Sequence, residues 1–540
     1  MTSPSTSSFP SDNNGGRDDP DVVSQIALPD DVNITQLMSS MVERLESVDK
    51  TDWLLRPSAG RESCCIFKVP QLLVEVNSKH YHPHIVSIGP YHRGCQHLEM
   101  MQQHKWRYLR DLLVRTPSTG PKLADYLQVV ALDEEKIREC YSETLTCLSK
   151  IELVEMMVLD GLFIIEVFSR FEYFEENLDD TIFSSEWILP HSGGCVFLKI
   201  KLAPQRLRLL RPLRPTCPEN QRGRTRGRPT ISKGSLRLLP WLPRGRATPM
   251  TPLWIRHWPQ LRLDFLRLEN QIPFFVLQQL FDMSKPSRED TYPCPPLGKA
   301  ALKFFNYVVQ QRSDKVLERY FYVGGVHLLD LFHSIFTTGI RDPPRENPSQ
   351  SVELIGTVKK LHQAGIKLKK SKATNFLCIR FCNGVLEIPH IIVDDYSIHV
   401  LLNFVAFEQC YIDCDKHIIT YAAFMNCLIC RPADATYLSE KNIIENYLGS
   451  DEELTQFFNN MSKDVGFGVI GSYLQQVFKD VNEHCDNVWN VRWAGFMLKY
   501  FRSPWSFMSA SAVLKALLLT VIQTVLSIFQ FNGPQERRGG

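Results

Sequence analysis

Leu268-Glu-Asn-Gln-Ile-Pro-Phe-Phe-Val-Leu-Gln-Gln-Leu-Phe281 is the stretch on which the reading of the fold turns. Three polar residues, Glu269, Asn270 and Gln271, stand directly before a helix start marked by Pro273. Phe274 to Phe281 is apolar almost all round, which predicts a helix in the middle of a core. Polar side chains held beside such a helix either bond neighbouring backbone or serve a site.

Outward from this stretch, the helical period dominates. Ile34 to Val48 has the apolar spacing of an amphipathic helix, and a helix is predicted from about Gln96 to Val114. Lys105 interrupts the apolar stripe of that helix, so it either snorkels to water or meets a buried carboxylate. Asp133 reads as the N-cap of a helix through Leu148, and Ile151 to Phe171 is a more apolar helix. Asp160 and Glu166 break its apolar run, and either one is a candidate partner for Lys105. Glu172 to Asp180 reads as a solvated acidic stretch, and residues 297–309 and 326–337 as further helices.

The period changes at Phe376-Leu-Cys-Ile-Arg-Phe-Cys-Asn-Gly-Val-Leu-Glu-Ile-Pro389, two β-type runs about Asn383-Gly384, with His390 to Val393 as a third strand. The preceding Lys367, Lys369, Lys370 and Lys372 read as a solvated edge. Helices return from Ser397 to Cys410 and from His417 to Cys430, and Ser450 with Glu453 forms a capping box for the next.

The chain has 540 residues, 44% of them hydrophobic and 22% charged, enough for a large core and two or three domains. A net charge of +2 gives no global pull toward nucleic acid. Eleven arginines nevertheless fall between His191 and Pro252, where Glu219 is the one acid. That block is rich in Pro and Gly and has no sustained apolar period. It reads as a disordered insertion or the product of a gene-model error rather than an Arg-rich arm, because aromatics for base stacking are nearly missing. The 15 cysteines sit mostly in apolar runs, as buried free thiols do.

Ala512 to Phe531 is apolar apart from Lys515, Thr520, Gln523, Thr524, Ser527 and Gln530. A helix of about 20 residues spans a hydrocarbon layer of about 30 Å, and Lys515 near one end snorkels. Pro504 and Trp505 open this anchor and Phe531 closes it. Basic residues flank both sides, so charge does not orient it.

Three constellations resemble metal ligand sets: His80, His82 and His84; His327, Asp330 and His333; and Cys410, Cys414, Cys427 and Cys430. The first lacks an accompanying acid and contains Pro83. The second spreads its members too widely round a helix, so that Asp330 is expected to pair locally with one histidine. The third lies partly in an apolar helical run. No metal, cofactor or catalytic residue is assigned, and no nucleophile elbow, P-loop or dinucleotide fingerprint is present. Lys105, Asp160, Glu269, Asn270 and Gln271 are expected to form a buried polar network, with Glu269 a further candidate partner for Lys105.

Taken together, Val86-Ser-Ile-Gly-Pro-Tyr-His-Arg-Gly94, Lys105-Trp106-Arg-Tyr-Leu109, Asp160-Gly-Leu-Phe-Ile-Ile-Glu166 and Leu268-Glu-Asn-Gln-Ile-Pro-Phe-Phe275 resemble the plant domain-of-unknown-function 247 family. Asn383-Gly-Val-Leu-Glu-Ile-Pro389, Phe407-Glu-Gln-Cys410, Ile444-Glu-Asn446 and Gly449-Ser-Asp-Glu-Glu453 add to the resemblance, which runs from about residue 52 to 531. It implies a mainly α protein with a C-terminal membrane helix and no established enzymatic activity. The Arg block departs from the family pattern.

The expected architecture is a tail with a short helix (1–50), a helical domain in two parts (51–190 and 253–504) around the insertion (191–252), a transmembrane segment (505–532) and a short tail (533–540). The fold is mainly α with a small β-hairpin or sheet around 376–393. The expected role is a single-pass protein of the plasma membrane or endomembrane, anchored in the lipid bilayer, whose helical domain recognises an unidentified protein partner. Two alternatives stand beside it: a hydrolase or transferase centred on Lys105, Asp160 or Glu269, and a metal- or nucleic-acid-binding protein, although nucleic acid is not an expected partner.

Overall fold

The computed structural model describes residues 36, 38–43, 63–116, 118–176, 187–191, 194–198, 258–285, 296–309, 312–340, 353–463, 465–466, 468–500 and 504–531. Two compact units divide the chain, Met1–Trp53 and Leu54–Gly540. In the first, residues 36 and 38–43 are helical, with Met38, Met41 and Val42 exposed. The rest of the N-terminal tail lies outside the described residues.

The second unit is mainly helical. An extended segment bridges Ile66 to Tyr141 in parallel before α1 (Gln71–Asn77). Then come α2 (Glu99–Arg115), α3 (Leu123–Leu132), α4 (Glu134–Glu139) and α5 (Lys150–Glu176). A hairpin follows, β1 (Trp187–His191) against β2 (Gly194–Leu198). The basic block therefore opens on a strand, as the β-forming Val196 and Phe197 favour. The rest of it lies outside the described residues. The chain continues through α6 (Trp258–Phe265), α7 (Phe274–Ser284), α8 (Leu297–Phe305), α9 (Asp314–Leu317), α10 (Leu328–Thr337) and α11 (Val358–Gln363). After the strands come α12 (Asp395–Cys410), α13 (His417–Leu428), α14 (Pro432–Glu440), α15 (Asp451–Met461), α16 (Gln475–Asp486), α17 (Val488–Tyr500) and α18 (Pro504–Phe531).

α5, rather than α7, is among the helices buried nearly all round. From Leu153 to Phe168 its residues are buried almost without a break, apart from Glu155, and it packs against α2, α3, α7 and α8. An apolar helix without a polar face has nowhere to lie but a core. α7 is buried along one face, through Val276, Leu277, Leu280 and Phe281, while Phe274, Phe275, Gln278 and Gln279 are half-buried. The two helices meet at Gly161, where a Cβ would collide with the Leu280 side chain. Beyond that crossing an aromatic cluster, Phe163, Phe168, Phe171, Phe265, Phe304 and Phe305, joins α5 to α6 and α8 through edge-on and tilted rings. Each fully buried phenyl contributes about 1.5–3 kcal/mol by leaving water.

Several boundaries differ from the sequence reading. The helix opened by Asp133 stops at Glu139, and the Asp133 carboxylate accepts from Gln279 Nε2 instead of capping (2.7 Å). Glu172 is buried within α5, so the acidic run starts inside the core. The predicted hairpin is present as β4 (Arg380–Cys382) and β5 (Val385–Pro389), turning on Asn383 (φ 50°) and Gly384 (φ 73°), a left-handed pair that suits a two-residue hairpin. Its third strand is β3 (Lys367–Ser371), parallel to β5. That strand is the lysine-rich stretch read as a solvated edge, and charged edge strands are a common protection against further pairing. Residues Ile391–Val393 form β6, which pairs in parallel with β7 (Ile444–Asn446) in a separate sheet. Ser450 caps α15 by accepting from Glu453 N, whereas the Glu453 carboxylate bonds Gly449 N.

Candidate functional site

The segment from Asp264 to Gln271, running from the end of α6 toward α7, holds a concentrated set of buried polar side chains. Asp264 and Arg267 are fully buried and pair through Nε and Oδ1 at 2.9 Å. The Asp264 carboxylate also accepts the main-chain N–H groups of His84, Ile85 and Val86 at 2.8–3.1 Å. Asn270 continues along the same strip of chain: its Oδ1 accepts from Ile88 N (2.7 Å) and its Nδ2 donates to Val86 O and Asp264 O. Gln271 Nε2 donates to Phe265 O and Arg267 O, while its own carbonyl accepts from Tyr141 Oη (3.1 Å). Leu268 N donates to Asn403 Oδ1, and Asn403 Nδ2 donates to His80 O and His399 O. A chain that buries irregular backbone must find partners for it, and here side chains supply them.

Lys105 and Asp160 meet in the core, each about 2% exposed at the side chain. The ammonium donates to Asp160 Oδ1 and to Ser87 O, and Asp160 Oδ2 accepts from Gly89 N (2.8 Å). Burial pushes the Asp160 carboxyl above the ordinary carboxylate range, with Lys105 pulling the other way. Glu166 is satisfied elsewhere, by Arg115 and Arg170. Gly89 sits at φ 73°, and a Cβ there would lie 2.5 Å from the Gln271 carbonyl oxygen, so glycine is required where the 84–89 loop crosses the Leu268–Ile272 segment.

Of the five network residues expected from sequence, the structure joins Lys105 to Asp160 and sets Asn270 and Gln271 beside them through the shared loop. Glu269 does not reach Lys105. Its Oε1 accepts from Val69 N (2.7 Å), and its Oε2 lies 3.0 Å from His92 Nε2. Asp264, Arg267, Asn403 and His399 were not singled out, although charged residues inside the apolar run Leu263-Asp-Phe-Leu-Arg267 carried a readable signal.

The histidines are mostly structural. His80 and His399 face each other through Nδ1 at 3.1 Å. Burial, with Lys79 and Arg267 nearby, lowers His80 to about 4, and burial with Arg267 and His80 holds His399 well below its ordinary value. His327 caps α10 by accepting from Asp330 N, and the Asp330 carboxylate answers by accepting from Val326 N. His333 pairs instead with Glu408 (2.8 Å), whose oxygens also accept from Ile418 N and Ile419 N at the start of α13. Among the described residues two sets of possible ligands converge: His82, His92 and Glu269, and His333, Glu408 and Cys414. The four cysteines considered from sequence form no such set, and burial raises their thiols. The only member of the His80-His82-His84 run in a convergent set is His82.

Two spaces flank the network. Lys105, Asp160, Ser87, Gly89 and Arg93 border a cavity of about 20 Å³, room for about one water. On the outer side of α2, α3 and α5, an open groove of about 600 Å³ is lined by Trp106, Leu109, Leu127, Ala131, Val154 and Val158. At the far end of the chain, Phe507–Phe529 within α18 is a 23-residue stretch apolar and long enough to cross a membrane, and none of it is buried.

Comparison with known proteins matches residues 66–519 to the DUF247 family, described as a plant protein of unknown function. UPF0481 protein At3g47200 from Arabidopsis thaliana is 34% identical over 517 residues, covering 92% of each chain. Putative UPF0481 protein At3g02645 from the same plant is 23% identical over 503 residues, covering 86% of this chain and 90% of that one. No solved structure matches.

Proposed function

The chain belongs to the DUF247 family of plant proteins of unknown function, and from that premise we propose that it is a single-pass membrane protein whose helical body recognises another protein without performing a reaction. The observation that carries this reading is the exposed apolar helix Phe507–Phe529. At about 1.5 Å per residue it is roughly 34 Å long, against a hydrocarbon layer of about 30 Å. Leaving Leu514, Leu517, Leu518, Val521, Ile522, Val525 and Ile528 in water opposes solubility, and a bilayer removes that cost. Just before it, α17 exposes Trp489, Trp493 and Phe496. Such aromatics suit the interfacial belt.

The non-enzymatic part of the reading is supported by the use already made of the buried polar groups. The carboxylates of Asp160 and Asp264 accept main-chain N–H groups, and the space beside Lys105 has room for about one water. The apolar groove along α2, α3 and α5 supports recognition, because its lining is almost without polar groups and it opens to solvent.

Fractionation of the chain with and without residues 505–540 tests the anchor. The full-length chain is expected in the alkali-resistant membrane fraction and the truncated one outside it. A full-length chain that stays soluble defeats the reading. A photoreactive residue at Leu127 tests recognition, with a discrete protein adduct expected and lipid adducts alone counting against it.

A further inference from the structure

We propose that His82, His92 and Glu269 form a binding site for a divalent transition-metal ion of the zinc type. One ligand atom from each of the three lies within 4.8 Å of the other two. Imidazole nitrogen with carboxylate oxygen is a donor set that suits such ions, and two histidines with one acid leave a further coordination position open.

The geometry around His92 is what points to an ion rather than a simple ion pair. Its Nε2 is buried and stands 3.0 Å from Glu269 Oε2, yet the two are not aligned as a hydrogen bond, and Nε2 has no hydrogen-bond partner. A buried imidazole nitrogen without a partner costs about 1–3 kcal/mol. A cation seated between Nε2 and Oε2 satisfies both atoms at once. The spacing already fits, because two donors each about 2.0–2.2 Å from a tetrahedral ion stand roughly 3.3 Å apart.

The supports are in place. Glu269 Oε1 is held by Val69 N at 2.7 Å, which leaves Oε2 directed toward His92. This is the outer-shell bond that fixes a ligating carboxylate. His82 lies next to Pro83, whose carbonyl is bonded to the His97 ring at 3.1 Å. The His82 ring meets His92 edge to face, with centroids 5.7 Å apart. His82 is exposed, so its ring can swing the remaining distance, and the open position faces solvent on its side.

The other convergent set shows what fully engaged ligand atoms look like. In His333, Glu408 and Cys414, Glu408 Oε1 is taken by His333 and Ile418 N and Oε2 by Ile419 N. Burial, with Glu408 nearby, raises the Cys414 thiol well above its ordinary value, so it keeps its proton. No ligand atom there is left over for an ion.

The test uses the full-length chain purified in detergent, stripped with chelator, reloaded with Zn²⁺ and desalted. Zinc is then measured by elemental analysis, and Co²⁺ substitution is followed by its visible absorption. The parent is expected to retain one zinc per chain, and Co²⁺ to give the spectrum of a low-symmetry nitrogen and oxygen site. His82→Ala removes an exposed ring and leaves the core intact; it is expected to weaken zinc at least tenfold. Glu269→Gln keeps an acceptor for Val69 N and is expected to do the same. A parent that retains no zinc overturns the proposal. So does retention unchanged by both substitutions, because the ion then lies elsewhere. A rise in unfolding temperature on adding Zn²⁺ to the parent but not to His82→Ala supports it independently of metal content.

Discussion

Lys105→Met keeps much of the apolar stem that packs along α2 but removes the ammonium shared by Asp160 and the Ser87 carbonyl. Asp160, 1% exposed, is left with the Gly89 N–H. Removing one member of a buried pair costs about 3–5 kcal/mol, because the remaining charge is neither solvated nor compensated. Removing both charges avoids that. Lys105→Met with Asp160→Asn keeps an acceptor for Gly89 N at nearly the same volume and is expected within about 1.5 kcal/mol of the parent. The double variant is thus more stable than Lys105→Met alone. Urea unfolding of the full-length chain in detergent, read by tryptophan fluorescence, measures all three proteins. The pH dependence follows from the direction of the Asp160 shift. Its carboxyl is already raised by burial, and without Lys105 it rises further. A carboxyl raised in the folded state contributes stability that is full below its ordinary value and lost as pH rises through the folded value. The deficit of Lys105→Met against the parent therefore shrinks on acidification. Equal stability of Lys105→Met and parent at neutral pH, or strictly additive losses in the double variant, refutes the reasoning.

Gly89→Ala is expected to prevent accumulation of folded protein. The new Cβ meets the Gln271 carbonyl at 2.5 Å and the positive φ adds about 1–2 kcal/mol of strain, so detergent extracts should contain aggregate by size exclusion. His80 and His327, both held at about 4 against an ordinary 6.5, contribute stability that is present above 6.5 and lost as pH falls toward 4. His327→Asn retains an N-cap for α10 and should flatten that acid limb by about 3 kcal/mol in urea midpoints taken across the range. Trp489→Ser with Trp493→Ser should reduce fluorescence quenching by brominated lipid without releasing the chain from membranes, since the proposed anchor is α18.

Much of the fold is written locally. The long, mostly apolar run of α5, Asn383-Gly384 at a two-residue hairpin and the capping residue Ser450 all act within a few positions of themselves, so periodicity and turn chemistry expose them. The partner of β5 is not written locally. β3 pairs with it directly in parallel although β4 lies between them in the sequence, and a lysine-rich edge gives no apolar alternation to read. The polar network shows the same division. Lys105 is conspicuous as a charge on an apolar stripe, but choosing Asp160 over Glu166 or Glu269 depends on how α2, α5 and the 84–89 loop are brought together. His82 stands out only within the His80-His82-His84 run, which lacks an acid, because the approach of His92 to Glu269 exists only once the loop has folded onto the Leu268–Ile272 segment.

The contact between Phe171 near the end of α5 and Trp258 at the start of α6, with ring centroids 5.3 Å apart, has a further consequence. The last turns of α5 and the first turn of α6 therefore stand side by side. The entropy of closing a connection grows only with the logarithm of its length, by about 0.6 kcal/mol per doubling. With residues 191–252 the connection between the two helices is roughly four times as long as without them, which costs about 1.2 kcal/mol. Ends that already touch impose no minimum span and almost no maximum. Transcripts that include or omit the arginine-rich block can therefore encode the same folded body, and length variation in this family should collect at this junction.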